Sequence, residues 1–200
     1  MFHQGNRELQ AHFDSERLAD KLADRAAERS VSIREEDRAF IESRDMFFLA
    51  TADAEGRPNC SYKGGDPGFV RVVDGQTIAF PSYDGNGMYL SAGNTLVNPH
   101  VGLLFIDFGG ASGSGRRLRL NGEASIDLTD PLLAEYPGAE MIVRVRAREI
   151  FGNCPRYIHR YQLLERSVYV PHADETPPEP EWKQSEWARE ALPKRRSAAP

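Results

Sequence analysis

The sequence predicts a mainly β domain with flanking helices, an α+β fold built on six or more antiparallel strands. Glycine gives the first indication, because 16 of the 17 glycines lie between Asp45 and Val170. Glycine adopts the positive φ angles of tight turns, so this block is predicted to hold short strands joined by turns. The second indication is that the block shows no repeated alternation of strand and helix, which argues against a doubly wound parallel sheet.

Composition divides the chain of 200 residues into three parts. Residues 1–44 are predicted to be a helical extension, residues 45–170 the β domain, and residues 171–200 a proline-rich, charged tail. The net charge of −5 argues against a nucleic-acid partner. Neither a membrane span nor a secretory signal is recognisable, so we expect a cytoplasmic protein that does not bind membranes.

Two helices are predicted before the β domain. Residues 14–30 form an amphipathic pattern, because Leu18, Leu22 and Ala26 recur at four-residue spacing opposite charged rows. This helix either contacts a second subunit or lies on its own domain, and the sequence leaves both open. A capping box at residues 32–35 predicts a second helix that runs to about residue 44 and places Phe40 and Ile41 in the core.

The strands are predicted from alternating or continuous apolar runs bounded by turn residues. They cover residues 46–52, 57–63, 69–73, 76–80, 101–108, 116–128 with a bulge at Gly122, and 141–150. Asp74-Gly75 is the strongest two-residue hairpin signal. Residues 85–98 are predicted to contain a short helix, and the tail a short helix anchored by Trp182 and Trp187. Short turns between the strands favour a closed barrel, since closure removes exposed sheet edges.

Two segments combine glycine with groups that can bind an anion. Residues 61–69 contain Lys63, the only lysine between Asp45 and Val170, beside paired glycines. The alternative there is an ordinary turn with Lys63 pointing to solvent. Residues 81–88 lead into the predicted helix, where free N–H groups can receive a phosphate, and ordinary capping by Asp84 or Asn86 is the alternative.

The sequence predicts no metal site and nominates no catalytic side chain. The five histidines show no ligand spacing, and the chain has only two cysteines, Cys60 and Cys154. Neither cysteine belongs to a Cys-x-x-Cys pair, and no pattern identifies a base that would activate a thiol.

Four ordered blocks between Phe40 and Tyr161 resemble the pyridoxamine 5'-phosphate oxidase-like family, the FMN-binding split β-barrels. The blocks are FIESRDMFFLATADAEGRPNCSYKGG, DPGFVRVVDGQTIAFPSYDGNGMYLSAGNTLVNPHVGLLFIDF, RRLRLNGEA and FGNCPRY. The resemblance implies a split β-barrel of the FMN-binding type and a homodimer with one flavin in each of two clefts at the subunit interface. It also implies an FMN-dependent oxidoreductase with a small-molecule substrate that the sequence does not identify. The alternative is a binding or sensing protein that holds flavin, deazaflavin or haem without turnover.

The same resemblance implies a set of cofactor-binding residues. They are Tyr62, Lys63, Gly64, Gly65, Phe69, Ser82, Tyr83, Asn86, Asn94, Arg119, Asn121 and Arg156. Lys63, Asn86 and Arg119 are the leading candidates among them.

The chain departs from the family pattern at two positions. Relatives often carry arginines where this chain has Tyr83 and Met88. A phosphate normally takes charge-assisted donors. Lys63 and arginines from elsewhere, such as Arg71 or Arg119, would therefore have to supply the positive charge.

Overall fold

The computed structural model describes residues 2–28, 31–109, 115–172, 174 and 176–193. Three helices precede the sheet: α1 (Gln4–His12), α2 (Glu16–Glu28) and α3 (Glu35–Glu42). Helix α4 (Leu90–Val97) follows the fourth strand, and the short helix α5 (Glu186–Arg189) lies in the tail. Two 3₁₀ turns cover Pro131–Glu135 and Glu181–Gln184. Helix α1 was not predicted.

Seven antiparallel strands form one sheet, which confirms the predicted class of a mainly β fold with flanking helices. The strands are β1 (Met46–Ala52), β2 (Pro58–Gly64), β3 (Arg71–Val72), β4 (Thr77–Tyr83), β5 (His100–Asp107), β6 (Arg116–Asp127) and β7 (Ala139–Asn153). Their order across the sheet is β2-β1-β5-β6-β7-β4-β3.

The predicted bulge lies at Gly122, where the register between β6 and β7 shifts. A Cβ at this position would lie 2.3 Å from the carbonyl oxygen of Arg146, so only glycine fits without moving the backbone. The hairpin predicted at Asp74-Gly75 joins β3 to β4, and Asp74 stabilises the turn by accepting the Gln76 N–H at 2.8 Å.

The expectation of a hydrogen-bonded closed barrel is wrong, because β2 and β3 stand at opposite ends of the strand order. The connection between them contains Pro67, which lacks an N–H, and two of its N–H groups bond to segments outside the connection. Gly65 donates to the carbonyl of Asp45 at 2.9 Å, and Gly68 donates to that of Glu42 at 2.7 Å. The sheet is therefore open along this line, as in a split barrel.

The sheet nevertheless curls around the main apolar core, and a smaller cluster of Ala79, Tyr136 and Ile142 lies apart from it. Phe47 of β1 meets Phe80 of β4, with ring centroids 4.9 Å apart, although three strands separate β1 from β4 in the sheet. Phe69 and Phe105 complete this aromatic group at 5.8 and 5.1 Å from Phe47. All four rings are buried.

Helix α3 packs into this core through Phe40 and Ile41, as predicted. Its capping box lies two residues later than predicted, since Arg34 is the N-cap and its N–H bonds Asp37 at 3.3 Å. The reason is tertiary: Ile33 is buried and donates its N–H to the carbonyl of Gly75 at 2.8 Å, so the chain is still extended there.

The amphipathic helix predicted over residues 14–30 is observed as α2, and residues 29 and 30 lie outside the described part. Leu18 and Leu22 are 62% and 52% exposed, so the fold of one subunit leaves much of this apolar row uncovered. Residues 194–200 of the predicted tail also lie outside the described part. No described helix is long and apolar enough to cross a membrane.

Candidate functional site

Strand β2 carries polar side chains on the face that looks toward the core. Asn59, Ser61 and Lys63 alternate with Cys60 and Tyr62, so the two sets point to opposite faces of the sheet. The first set pairs in register with the buried residues of β1. A polar row at this position faces inward at the edge of the sheet, where a ligand can reach it.

Helix α4 packs against this polar row. The hydroxyls of Ser61 and Ser91 lie 3.0 Å apart, and the Asn59 amide donates to Ser91 Oγ at 3.4 Å. Asn94 donates to the hydroxyl of the buried Thr51 at 3.1 Å and so fixes the helix on β1. We refer to Asn59, Ser61, Lys63, Ser91 and Asn94 as the β2–α4 cluster.

The ammonium group of Lys63 is the one cation of this cluster. It has no hydrogen-bond or ion-pair partner within the part of the chain that the structure describes. Lys63 is partly buried, and this burial lowers the pKa of its ammonium group below the ordinary value. A desolvated ammonium without an acidic partner is unfavourable, and binding an anion from solution would relieve it.

Two glycines follow Lys63 because aromatic rings lie against the backbone there. A Cβ on Gly64 would come within 2.7 Å of the Tyr62 ring, and one on Gly65 within 2.4 Å of the Phe69 ring. The N–H of Gly65 is already bonded to the carbonyl of Asp45, so it is not available to a ligand in this conformation. These glycines shape the site by close packing.

The predicted residues of β4 separate onto two sides. Ser82 lies on the same face of the strand as the core residue Phe80, whereas a register shift occurs between Ser82 and Tyr83. Burial raises the pKa of Tyr83 to about 12, with smaller contributions from Tyr136 and Asp66. Of these two residues, Ser82 therefore lies on the inner face of the sheet, the face that carries Phe80.

Asn86 lies in the loop before α4 and forms a local turn. Its side-chain oxygen accepts the N–H of Met88 at 3.1 Å, so it closes a turn ahead of the helix, whereas the N-cap of α4 is Tyr89. Asn86 and Met88 are both exposed.

Arg119 and Asn121 lie on the outer face of β6, opposite the buried Leu118 and Leu120. Arg119 donates to Asn153, and Asn121 donates to Glu149 at 3.0 Å. One subunit therefore does not bring these two residues to the face that carries Lys63.

The outer face also carries a row of four apolar or aromatic side chains and one arginine that runs across neighbouring strands. Tyr62, Phe48, Leu104, Arg119 and Phe151 follow one another in register from β2 to β7. Tyr62 is 62% exposed, and Phe48 and Leu104 are only partly covered. This row is called the outer row below.

Arg156 follows β7 and is exposed. Arg71 forms an ion pair with Glu135 and stacks on Tyr136 with its guanidinium 5.0 Å from the ring centroid, so its charge is already compensated. Cys60 and Cys154 are both exposed and free. Among the described residues, no group of His, Cys, Asp and Glu side chains could hold a metal ion.

Sequence reasoning missed two groups near the site. Asn59 and Ser91 were not singled out, although the alternation of Asn59, Ser61 and Lys63 on a strand was visible in the sequence. The tail cations Arg166 and Lys183 bond the loops that flank the site, through Asp66 and Asp84. No local pattern indicates these contacts.

A family model described as pyridoxamine 5'-phosphate oxidase matches residues 33–168. No curated protein matches the chain.

Several solved structures are similar in fold. An FMN-binding protein from Syntrophomonas wolfei is 15% identical, with 72% of this chain and 97% of that chain covered and a TM-score of 0.48. HupZ from Group A Streptococcus is 16% identical, with 60% and 93% covered and a TM-score of 0.46. HutZ, the heme storage protein from Vibrio cholerae, is 22% identical, with 60% and 93% covered and a TM-score of 0.42.

Proposed function

The chain belongs to the pyridoxamine 5'-phosphate oxidase family, and from that premise we propose that it binds FMN and transfers hydride or electrons to or from a small molecule. The observation that carries the proposal is the partly buried ammonium of Lys63, which has no hydrogen-bond or ion-pair partner among the described residues and belongs to the same face of β2 as Asn59 and Ser61. This donor set fits a phosphate ester, which accepts charge-assisted and neutral hydrogen bonds together.

Four residues of the β2–α4 cluster have a defined task in this proposal. Lys63 supplies positive charge to the phosphate, and the hydroxyls of Ser61 and Ser91 donate to its oxygens after exchanging their mutual contact of 3.0 Å. Asn94 holds α4 against β1 through Thr51. Gly64 and Gly65 keep the turn narrow, so that Tyr62 and Phe69 pack over it.

When bound, FMN supplies the hydride or electron chemistry through its isoalloxazine ring. This chain's own groups bind the cofactor, orient it and limit its access to water. None of the cluster residues is required as an acid or base for such transfer, so no catalytic side chain is proposed.

A second subunit is part of the proposal, because Lys63 alone does not balance a phosphate that carries nearly two negative charges. Arg71 is paired with Glu135, and Arg119 faces the opposite side of its own subunit. We propose that the outer row packs against a second copy, which brings its own Arg119 or Arg156 toward the cofactor. The exposed ring of Tyr62 supports this arrangement, since large exposed apolar surfaces mark interfaces.

Sedimentation velocity of the full chain tests this arrangement directly. A dimer at micromolar concentration is expected, and a monomer in the presence of FMN would contradict it.

The alternative function is cofactor binding without turnover. The feature that favours it is the pair Tyr83 and Met88 at positions where relatives often carry arginines, together with the lack of a catalytic constellation in the cluster. Flavin that binds but is not reduced by nicotinamide donors or a flavin reductase would support this alternative. For haem, the β2–α4 cluster offers neither histidine nor cysteine as an axial ligand.

The test of the primary proposal is a titration with FMN, followed through the visible spectrum and the quenching of flavin fluorescence. Lys63→Ala is expected to weaken FMN binding by about 1–3 kcal/mol, the value of a hydrogen bond to a charged group. Riboflavin, which lacks the phosphate, should bind wild type and variant alike.

Lys21→Ala is the matched control, because it removes an exposed lysine of α2. A wild-type protein that stays colourless in excess FMN contradicts the proposal. An equal loss of riboflavin and FMN affinity in Lys63→Ala would show that the phosphate is held elsewhere.

A further inference from the structure

The chain after β7 returns across the molecule and reaches both loops that flank the β2–α4 cluster. Tyr161 packs on Phe108 with ring centroids 5.1 Å apart, and its N–H donates to the Phe108 carbonyl at 3.4 Å. The path then reaches the turn after β2 and, further along, the loop after β4. We call residues 155–172 and 176–193 the C-terminal strap.

The first anchor of the strap is Arg166, which binds Asp66 through two hydrogen bonds. Nε lies 2.6 Å from Oδ1 and the second guanidinium nitrogen 2.8 Å from Oδ2. The same guanidinium donates to the carbonyl of Val170 at 2.9 Å, so its orientation is fixed from the strap side as well. The His172 ring lies 3.6 Å from Asp66 and adds positive charge when protonated.

The second anchor is Lys183, whose side chain is only 9% exposed and whose ammonium group pairs with Asp84. The neighbouring Trp182 and Trp187 stack on each other at 6.0 Å, and the Lys183 ammonium lies 5.7 Å from the centre of the Trp182 ring. Burial of a lysine against an acid of a distant loop requires a defined docking geometry.

The acids at the two anchors both belong to segments that carry candidate cofactor residues. Asp66 comes three residues after Lys63, and Asp84 two residues before Asn86. A carboxylate in a segment that holds a phosphate would repel it, unless a cation compensates the carboxylate. The Arg166 hydrogen bond holds the pKa of Asp66 below its ordinary value, so Asp66 stays charged at neutral pH.

We propose that Arg166 and Lys183 are positioning residues of the cofactor site: they fix the two flanking segments and neutralise Asp66 and Asp84, so that the charge of Lys63 acts on an incoming phosphate unopposed. The inference rests on the proposed function, because it names how the same site is kept attractive to an anion. The role of the tail is then to supply the cations that compensate the two acids.

A charge cycle tests the proposal with FMN and riboflavin as probes. Arg166→Met leaves Asp66 uncompensated and is expected to weaken FMN binding about fivefold, the effect of one like charge screened near a surface. Arg166→Met combined with Asp66→Asn removes both charges and should return the FMN affinity to within about twofold of wild type. Riboflavin affinity should stay the same in both variants, since riboflavin carries no phosphate.

Arg148→Met is the matched control, because it breaks an exposed ion pair with Glu123 outside the strap. FMN affinity in Arg166→Met that equals wild type overturns the proposal. A double variant that stays as weak as the single one overturns the neutralising role, since Arg166 would then act only by holding the turn in place. Lys183→Met with Asp84→Asn repeats the cycle at the second anchor.

Amide hydrogen exchange of the cofactor-free protein separates this inference from the proposed function. Faster exchange in residues 64–69 is expected for Arg166→Met, and faster exchange in residues 84–89 for Lys183→Met. Wild type that binds no FMN would refute the proposed function, while unchanged exchange in both segments would refute the strap.

Discussion

Arg144 of β7 and Lys63 of β2 place positive charges on two strands of the same sheet, in opposite surroundings. Arg144 donates twice to Asp130, with distances of 2.5 and 3.0 Å. The Asp130 side chain is 2% exposed, and it also accepts the N–H of Leu132 at 2.9 Å. Lys63 shares its face of β2 with Asn59 and Ser61, and no acid among the described residues pairs with it.

The difference separates a cation that stabilises the fold from one that is suited to a ligand. Arg144 and Asp130 satisfy each other, and removal of Arg144 would leave the buried carboxylate of Asp130 without its cation. The ammonium group of Lys63 is desolvated without gaining an acidic partner. Its removal should therefore stabilise the fold and weaken only the binding of an anion. The two sites should therefore respond to mutation with opposite signs of stability change.

The largest expected effect is at the paired site. Asp130→Ala should lower the free energy of unfolding by about 1–2 kcal/mol, because it removes the cap of the 3₁₀ turn and the partner of the partly exposed Arg144. Urea unfolding of the cofactor-free protein measures the change. Glu123→Ala, which breaks the exposed pair with Arg148, is the control and should cost less than about 0.5 kcal/mol. An unchanged free energy of unfolding in Asp130→Ala would contradict the view that Arg144, unlike Lys63, stabilises the fold through its partner.

The pH dependence of the paired site has a defined sign. The Arg144 hydrogen bond lowers the pKa of Asp130 below its ordinary 3.8, so the native state holds the carboxylate charged. Its contribution to stability is complete above that value and is lost as the pH falls through the lower pKa of the folded protein. Asp130→Ala should flatten this part of the acid-unfolding curve.

At Lys63 the expected change in the free energy of unfolding is smaller and has the opposite sign. Lys63→Met should raise the free energy of unfolding of the FMN-free protein by up to about 1 kcal/mol, because a half-buried ammonium is replaced by an apolar chain of similar length. Thermal and urea unfolding without FMN measure it. A clear loss of stability would indicate that Lys63 has an internal role that its surroundings do not reveal.

The same lysine should also make FMN affinity depend on pH. Burial lowers the pKa of Lys63 from 10.5, so the free protein loses this charge at a lower pH than the unfolded chain does. FMN affinity should therefore weaken as the pH rises through the pKa of Lys63 in the free protein. The same titration of Lys63→Met should lack this step, and identical profiles would remove Lys63 from the phosphate site.

Much of the fold was predictable because it depends on residues close together in the chain. The Asp74-Gly75 hairpin, the bulge at Gly122 and the burial of Phe40 and Ile41 each follow from a local pattern, and each is confirmed. The helix cap before α3 was misplaced because the hydrogen bond from Ile33 to Gly75 joins residues that are distant in sequence.

The candidate site was predictable only in part. Lys63 stood out in the sequence as the single lysine of the β domain, and its segment lies at the β2–α4 cluster. The sequence grouped Lys63 with Arg119 and Asn121 through family resemblance, whereas one subunit places those two on the opposite face.

The sequence by itself determined the strands, the turns and the family, since side-chain alternation and turn conformation are properties of neighbouring residues. Only the tertiary structure decided which charges are compensated. Asp66 and Arg166 are 100 positions apart, and Asp130 and Arg144 lie on different elements. Whether a charged side chain stabilises the fold or is left to bind a ligand depends on the partner that the folded chain brings within a few ångströms, because electrostatic attraction depends on distance in space.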